Sequence, residues 1–186
     1  MKKVIVLAAL ACCSVGFIQA QTAPGIKGGL NLTDVSNFNG SNRVSGHVGL
    51  FLHHSLNSRW CIQPELLYSG QGQKYQTGEG ERTLALSYIQ VPVMIQYYPV
   101  KQLYFEFGPQ LSFLTSAKVK GGGNDVEVDG GYRKADVGIN LGVGVAATQQ
   151  IGFYARYGAG LTYITKNGNT SNMNRVGQLG MFVRLH

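Results

Sequence analysis

Four sets of residues have types and spacings that could do chemistry. Gly142-x-Gly144-x-x-Ala147 matches the glycine fingerprint that cradles a dinucleotide pyrophosphate. His53 and Ser55 stand two residues apart with Glu65 downstream, so a general base could activate a hydroxyl nucleophile and be oriented by a carboxylate. His47, His53, His54, His186 and Cys61 are of metal-ligating type. Glu65, Glu106 and Asp136 balance Lys27, Arg156 and Arg184 in number, a set suited to ion pairing.

The element beneath each set decides its reading. A dinucleotide loop needs a helix opening on its glycines and an acid about 20 residues on. Here "TQQIGFYARYGAGLTYIT" follows, alternating with a strand's period of two, and Ile164 and Lys166 stand where the acid should be. Upstream, Val137, Ile139, Leu141, Val143 and Val145 share one parity, while Asp136, Gly138, Asn140, Gly142 and Gly144 share the other. The glycines belong to a strand with one greasy face and one polar face. The histidines and Cys61 show no metal-ligand spacing, so no metal, cofactor or catalytic residue is assigned.

Composition narrows the environment. Of the 186 residues 44% are hydrophobic, which excludes general disorder, yet only 13% are charged, about half the usual share. Glycine, at 26 residues, is roughly twice as common as usual. Lys2 and Lys3, an apolar run from Val4 to about Phe17, and "IQA" before Gln21 read as a secretory signal over 1–20, leaving a domain over 21–186. Cys12 and Cys13 fall within that leader, so Cys61 would remain alone with no intramolecular disulfide. The net charge of +7, less the two leader lysines, becomes +5 and is scattered, which argues against nucleic acid.

Eight period-two segments follow: 25–33, 44–56, 59–71, 84–98, 103–118, 132–147, 151–165 and 175–186. Short connections ("NS", "PVKQ", "TQQ") alternate with long ones ("DVSNFNGSNR", "GQKYQTGEGERT", "VKGGGNDVEVDGG", "KNGNTSNMN"). An even strand number with alternating tight turns and long loops predicts an all-β, eight-stranded antiparallel up-and-down transmembrane β-barrel. Both termini then fall on the short-turn side, which faces the periplasm.

A soluble lipocalin-like barrel would also alternate, burying its apolar parity around a ligand. The polar parity separates the two. It holds Lys27, Asn31, His47, Gln63, Glu65, Ser69, Gln90, Gln96, Tyr104, Glu106, Asp136, Asn140, Tyr154, Arg156, Gln178, Arg184 and many glycines. A water-facing sheet would carry more Lys and Glu, whereas a narrow lumen gains space from glycine beside Tyr and Arg. The expectation is a side-chain-filled polar interior, plugged by a network of the six charges, inside a wall of aliphatic and aromatic residues. Trp60, Tyr97, Leu103 and Phe153 form one interfacial girdle and Tyr68, Phe113 and Tyr163 the other.

With these strands in place, "GIKGGLNLTDVSN", "IQPELLYSGQGQKY", "YIQVPVMIQYYP", "LYFEFGPQLSFLTSAKVK" and "KADVGINLGVGVA" resemble the PorT-type outer-membrane β-barrel family of Bacteroidetes, similar in architecture to OmpX-like barrels. The resemblance covers essentially the whole mature chain. It implies an outer-membrane location, insertion by the barrel-assembly machinery, and in some relatives an association with secretion; contact with lipopolysaccharide phosphates is expected separately, from Lys118, Lys120, Arg133 and Lys134 at the base of one long loop. Such barrels usually end in an aromatic residue, whereas this chain ends Leu185-His186. The function expected is a structural or envelope-interaction role, with long loops, notably "KVKGGGNDVEVDGGYRK", free to meet an external or secretion-system partner. The alternatives are a secreted lipocalin-like carrier of a small apolar ligand, or an outer-membrane lipid hydrolase using His53, Ser55 and Glu65 in the manner of lipid A deacylases.

Overall fold

The computed structural model describes residues 21–35, 41–78, 80–121, 126–127, 133–162 and 173–185. The elements are β1 (Thr22–Val35), β2 (Ser41–Ser55), β3 (Trp60–Thr77), β4 (Gly80–Tyr97), β5 (Leu103–Lys120), the two-residue β6 (Val126–Glu127), β7 (Ala135–Ala146), β8 (Ile151–Gly160) and β9 (Asn174–Arg184). Each long strand pairs antiparallel with its neighbours in sequence, and β1 pairs with β9 from Gly25↔Arg184 to Val35↔Asn174. The eight long strands thus close an up-and-down barrel. The leader, His186 and Tyr163 lie outside the described residues.

The faces follow the parities. Leu30, Val48, Leu50, Leu66, Tyr68, Phe105, Leu141, Phe153 and Leu179 are exposed on the outer wall, while Lys27, Asn31, Glu65, Gln90, Glu106, Asn140 and Arg156 are buried inside. At the short-turn end Trp60 stacks beside Tyr97, with ring centroids 4.8 Å apart, as an interfacial girdle would.

Side chains hold the short turns. Asn57 Oδ1 accepts from the backbone N–H of Arg59 and Trp60 at 2.9 Å each, and Thr148 Oγ1 accepts from Gln150 and Ile151. Both are local side-chain caps that give turn amides a partner.

The opposite end departs from the expected loops. The composition of "GQKYQTGEGERT" predicts a loop, but the β3–β4 ladder continues to Thr77↔Gly80. β3, β4 and β5 reach 18 residues each, well beyond the 9–11 or so that a tilted strand needs to cross hydrocarbon. The extension has a packing cause: Leu84, Leu86, Tyr88 and Ala117 form a buried apolar cluster joined by Tyr75, Leu114 and Val119. A bulge at β5, where Ser87↔Ser116 is followed by Tyr88↔Leu114, flips the parity and turns Ala117 inward. Thr115 Oγ1 donates to the Ser87 carbonyl at that bulge. β7, β8 and β9, with 12, 10 and 11 residues, stop near the length needed to span. The segment 132–147 read as a strand begins only at Ala135, and 151–165 ends at Gly160 among the described residues.

Closure depends on tight backbone approach at the β1–β9 seam. A Cβ at Gly29 would overlap the Leu179 carbonyl and lie 2.5 Å from Gly180 Cα, whereas one at Gly46 would find its nearest neighbour at 3.5 Å. Gly29→Val is therefore expected to destabilise the refolded barrel by about 2 kcal/mol or more, and Gly46→Ala by less than about 0.5 kcal/mol. Urea midpoints in lipid vesicles check the contrast; equal midpoints would refute the seam argument.

Candidate functional site

The most constrained chemistry lies at mid-height in the lumen, where four strands deliver charge to one point. Arg156 from β8 forks its Nη1 and Nη2 onto the Glu65 carboxylate of β3, 2.9 Å each, and its Nε donates to Glu106 Oε1 of β5 at 2.7 Å. Lys27 of β1 donates to Glu65 Oε1 at 3.0 Å. Two cations meet two carboxylates, so the cluster is neutral. Its side chains are essentially inaccessible to water.

Neutral groups complete the shell. Gln63 Nε2 donates to Glu65 at 2.8 Å, and Gln96 Nε2 to Glu106 at 3.1 Å. Lys27 Nζ sits 4.0 Å from the Tyr154 ring centroid, a cation–π contact, and the Tyr154 hydroxyl meets His47 Nε2. His47 Nδ1 lies 2.7 Å from Asn31 Oδ1, which also accepts from Gln178 Nε2. Asn31 Nδ2 reaches Ser69 Oγ and the carbonyls of Gly46 and Gly70. Multiple hydrogen bonds to each ion are what allow buried charge to persist in a low-dielectric interior.

Packing seals both sides. Toward the short turns, Phe51, Tyr104, Tyr154 and Phe182 form an aromatic layer with Tyr98 against it. Toward the long connections, a cavity of only about 20 Å³ lies among Gln71, Gln90, Gln110, Asn140 and Gln178, roughly room for a single water. The glycines make this filling possible. A Cβ at Gly142 would stand 2.8 Å from Glu106 Oε1, one at Gly144 would overlap the Tyr104 ring, and one at Gly180 would crowd the Tyr154 hydroxyl. The sequence that mimicked a dinucleotide loop is the wall against which Glu106 and Tyr104 pack.

Two of the six charges expected in the network are elsewhere. Asp136 accepts from Thr162 Oγ1 toward the long connections, because its place near the start of β7 sets it far from the mid-height residues of that strand. Arg184, the last residue of β9, donates from Nη2 to the Tyr98 hydroxyl at 2.9 Å and lies over Phe182. Burial pushes the Tyr98 hydroxyl up to about 12, so it stays protonated and passes the contact on to Gln96 Oε1 at 3.1 Å.

The hydrolase trio does not assemble. His53 Nδ1 faces Gln63 Oε1 at 3.3 Å, Ser55 Oγ accepts from the Cys61 thiol at 3.7 Å, and Glu65 is held by Lys27, Arg156 and Gln63. Among the described residues, no group of three or more His, Cys, Asp or Glu is placed to hold a metal ion. The aromatic layer is what sequence reasoning missed. Phe51 and Phe182 take the inward parity, a signal available from their neighbours Leu50, Leu52, Met181 and Val183, which fix the outward one.

Comparison with known proteins places this geometry. The family model described as an outer membrane protein beta-barrel domain matches residues 19–166. Neisserial surface protein A is similar in structure, with 15% identity, a TM-score of 0.60, and coverage of 88% of this chain and 97% of that one. Ail, the attachment invasion locus protein of Yersinia pestis, is similar with 13% identity, a TM-score of 0.52, and coverage of 89% and 98%. Ail in complex with the heparin analogue sucrose octasulfate is similar at 10% identity, a TM-score of 0.50, and coverage of 89% and 98%. No curated protein matches the sequence.

Removing Arg156 leaves two buried carboxylates with Lys27 as their one remaining cation. Arg156→Ala is expected to cost about 3 kcal/mol or more in unfolding free energy, and Asp136→Asn less than about 1 kcal/mol. Equilibrium urea unfolding of the refolded barrel measures both; an Arg156→Ala midpoint equal to the parent's would rule out the cluster as the lumen's main tie.

Proposed function

The chain belongs to the outer membrane protein beta-barrel domain family, and on that premise we propose that it is a non-enzymatic envelope protein whose solid, ion-paired lumen makes it a rigid platform, not a conduit. The filled lumen carries this reading. A transport role needs a continuous aqueous path, and an eight-stranded ring has interior room only for side chains. The missing His53–Ser55–Glu65 geometry weighs against hydrolysis of membrane lipid.

In this reading the short turns and both termini face the periplasm, residues 1–20 are removed on export, and the barrel-assembly machinery inserts the chain. The alternation of short turns with long extended connections supports that orientation. The tall wall made by β3, β4 and β5 then stands outside the cell. It offers a folded surface for lipopolysaccharide or an external partner, and the PorT-type resemblance adds a secretion-system component as a candidate. Charge alone does not select the partner there. Lys118 pairs with Glu127 at 3.1 Å, so the basic base of the 118–134 connection is partly neutralised by its own acid, and at the β3–β4 connection Lys74 pairs with Glu81 at 2.8 Å. These pairs are exposed and add little stability.

Two measurements test the proposal. With Cys61 changed to Ser, a membrane-impermeant maleimide applied to intact cells should label Glu81→Cys and leave Asn57→Cys unlabelled until the outer membrane is opened. The reverse pattern would overturn the orientation. Planar-bilayer recordings should show no large, stable conductance, and a sustained open channel would overturn the platform reading. Deleting residues 121–130 separates the two roles within it: loss of partner capture favours interaction, and intact capture with intact envelope integrity favours a purely structural part.

A further inference from the structure

The mouth at the short-turn end differs from the rest of the barrel in electrostatics. The chain has nine Asp and Glu residues, of which Glu65 and Glu106 are held in the mid-height cluster. Every other acid belongs to the long connections or to the strand ends beside them. The short-turn end carries Arg59, Lys101 and Arg184, with His53 and His54, and no carboxylate among the described residues. Within this rim opens a depression of about 460 Å³, lined by His53, Ser55, Tyr98, Lys101 and Arg184 among others.

Two features make it more than a basic surface. Arg184 spends Nη2 on Tyr98, while its Nε is shielded from solvent and has no hydrogen-bond partner. A shielded guanidinium N–H without an acceptor carries a desolvation cost that an incoming oxyanion would remove. The floor is fixed, because the aromatic layer of Phe51, Tyr104 and Phe182 supports Tyr98 and Arg184 from beneath. Ser55 and Tyr98, which carry hydroxyl groups, line the depression with the cations, and Lys101 is exposed.

We propose that the short-turn mouth is a binding site for a phosphate-type oxyanion, with Arg184 and Lys101 as its cationic arms and Ser55 and His53 as its polar wall. Two cations lining one depression, with no side-chain carboxylate among the described residues there, suit a multidentate phosphate oxyanion better than a single carboxylate. The group has two natural sources, a soluble phosphate compound and the headgroup of a phospholipid in the adjoining leaflet. The site is argued from the mouth itself and stands whether or not the orientation proposed above is correct.

The test uses the whole refolded chain in a sugar detergent free of phosphate. Sodium phosphate is titrated at constant ionic strength while backbone amide shifts are followed by NMR, with sodium chloride as the control. The expected result is saturable shifts at His53, Ser55 and Lys101, weakened about tenfold in affinity by Arg184→Gln and by Lys101→Gln, and unchanged by Arg133→Gln at the opposite end. Lys101 is exposed, so its variant reads binding even if Arg184→Gln perturbs folding. A second arm compares phosphatidylcholine nanodiscs with and without phosphatidylglycerol, in phosphate-free buffer. Shifts that appear with phosphatidylglycerol identify the lipid source, and shifts that require soluble phosphate identify the other. Non-saturable shifts, shifts matched by chloride, or equal affinity in the Lys101→Gln variant would overturn the site.

Discussion

Hydrocarbon offers no hydrogen-bond partner to a peptide group, and the whole molecule follows from that constraint. Every N–H and C=O in the spanning segments must be paired within the chain, so the sheet cannot have an edge. The β1–β9 ladder is the closing seam, and the Gly28–Gly29 and Gly180 backbones approach there more closely than a Cβ would allow. With eight strands the ring is narrow, and the narrowness dictates the lumen. Large side chains fit only where a neighbouring strand gives up its own, which is why Tyr104 faces Gly144 and Tyr154 faces Gly180. Glycine usually weakens a strand; in this barrel it is the condition for a filled interior.

The interior then has to be polar without being wet. Lipid outside takes the apolar parity, so the other parity is left with groups that need partners. Burying one ion would be prohibitive, and burying a pair is close to neutral only when every remaining lone pair and proton is used. The Lys27–Glu65–Arg156–Glu106 cluster approaches that condition through Gln63, Gln96 and the Tyr154 ring. Its members come from β1, β3, β5 and β8, so the cluster spans the cross-section and ties walls that the backbone ladder joins only through neighbours. Such a tie resists both flattening of the ring and opening of a water path.

The sequence made the faces legible because a period of two is forced by strand geometry and survives any choice of loop. Glu65, Glu106, Lys27 and Arg156 could be placed inside from parity alone. Which of the six inward charges meet could not be read that way, because it depends on the stagger between strands that are far apart in the chain; Asp136 and Arg184 share the parity and miss the cluster by height. The ladder over Gln73 to Thr77 was hidden for a different reason. Its residues are polar and glycine-flanked, as a loop's would be, and only the cluster of Leu84, Leu86 and Ala117 across the sheet explains why they stay extended. The bulge at Thr115 hid Ala117 further by reversing the alternation on which the reading relied.

The two ends of the barrel therefore differ in kind. At the long-connection end cations and acids alternate along extended ladders and pair with each other, as Lys74 does with Glu81, so the surface there is shaped more by a packed, rising sheet than by net charge. At the short-turn end the strands stop in capped turns, no Asp or Glu stands among the described residues, and Arg184 keeps a shielded N–H without an acceptor above an aromatic floor. Between them the lumen is filled with side chains, and the cavity among Gln71, Gln90, Gln110, Asn140 and Gln178 is only about 20 Å³. On the platform reading proposed above, it is the chemistry of these two surfaces that a partner would meet.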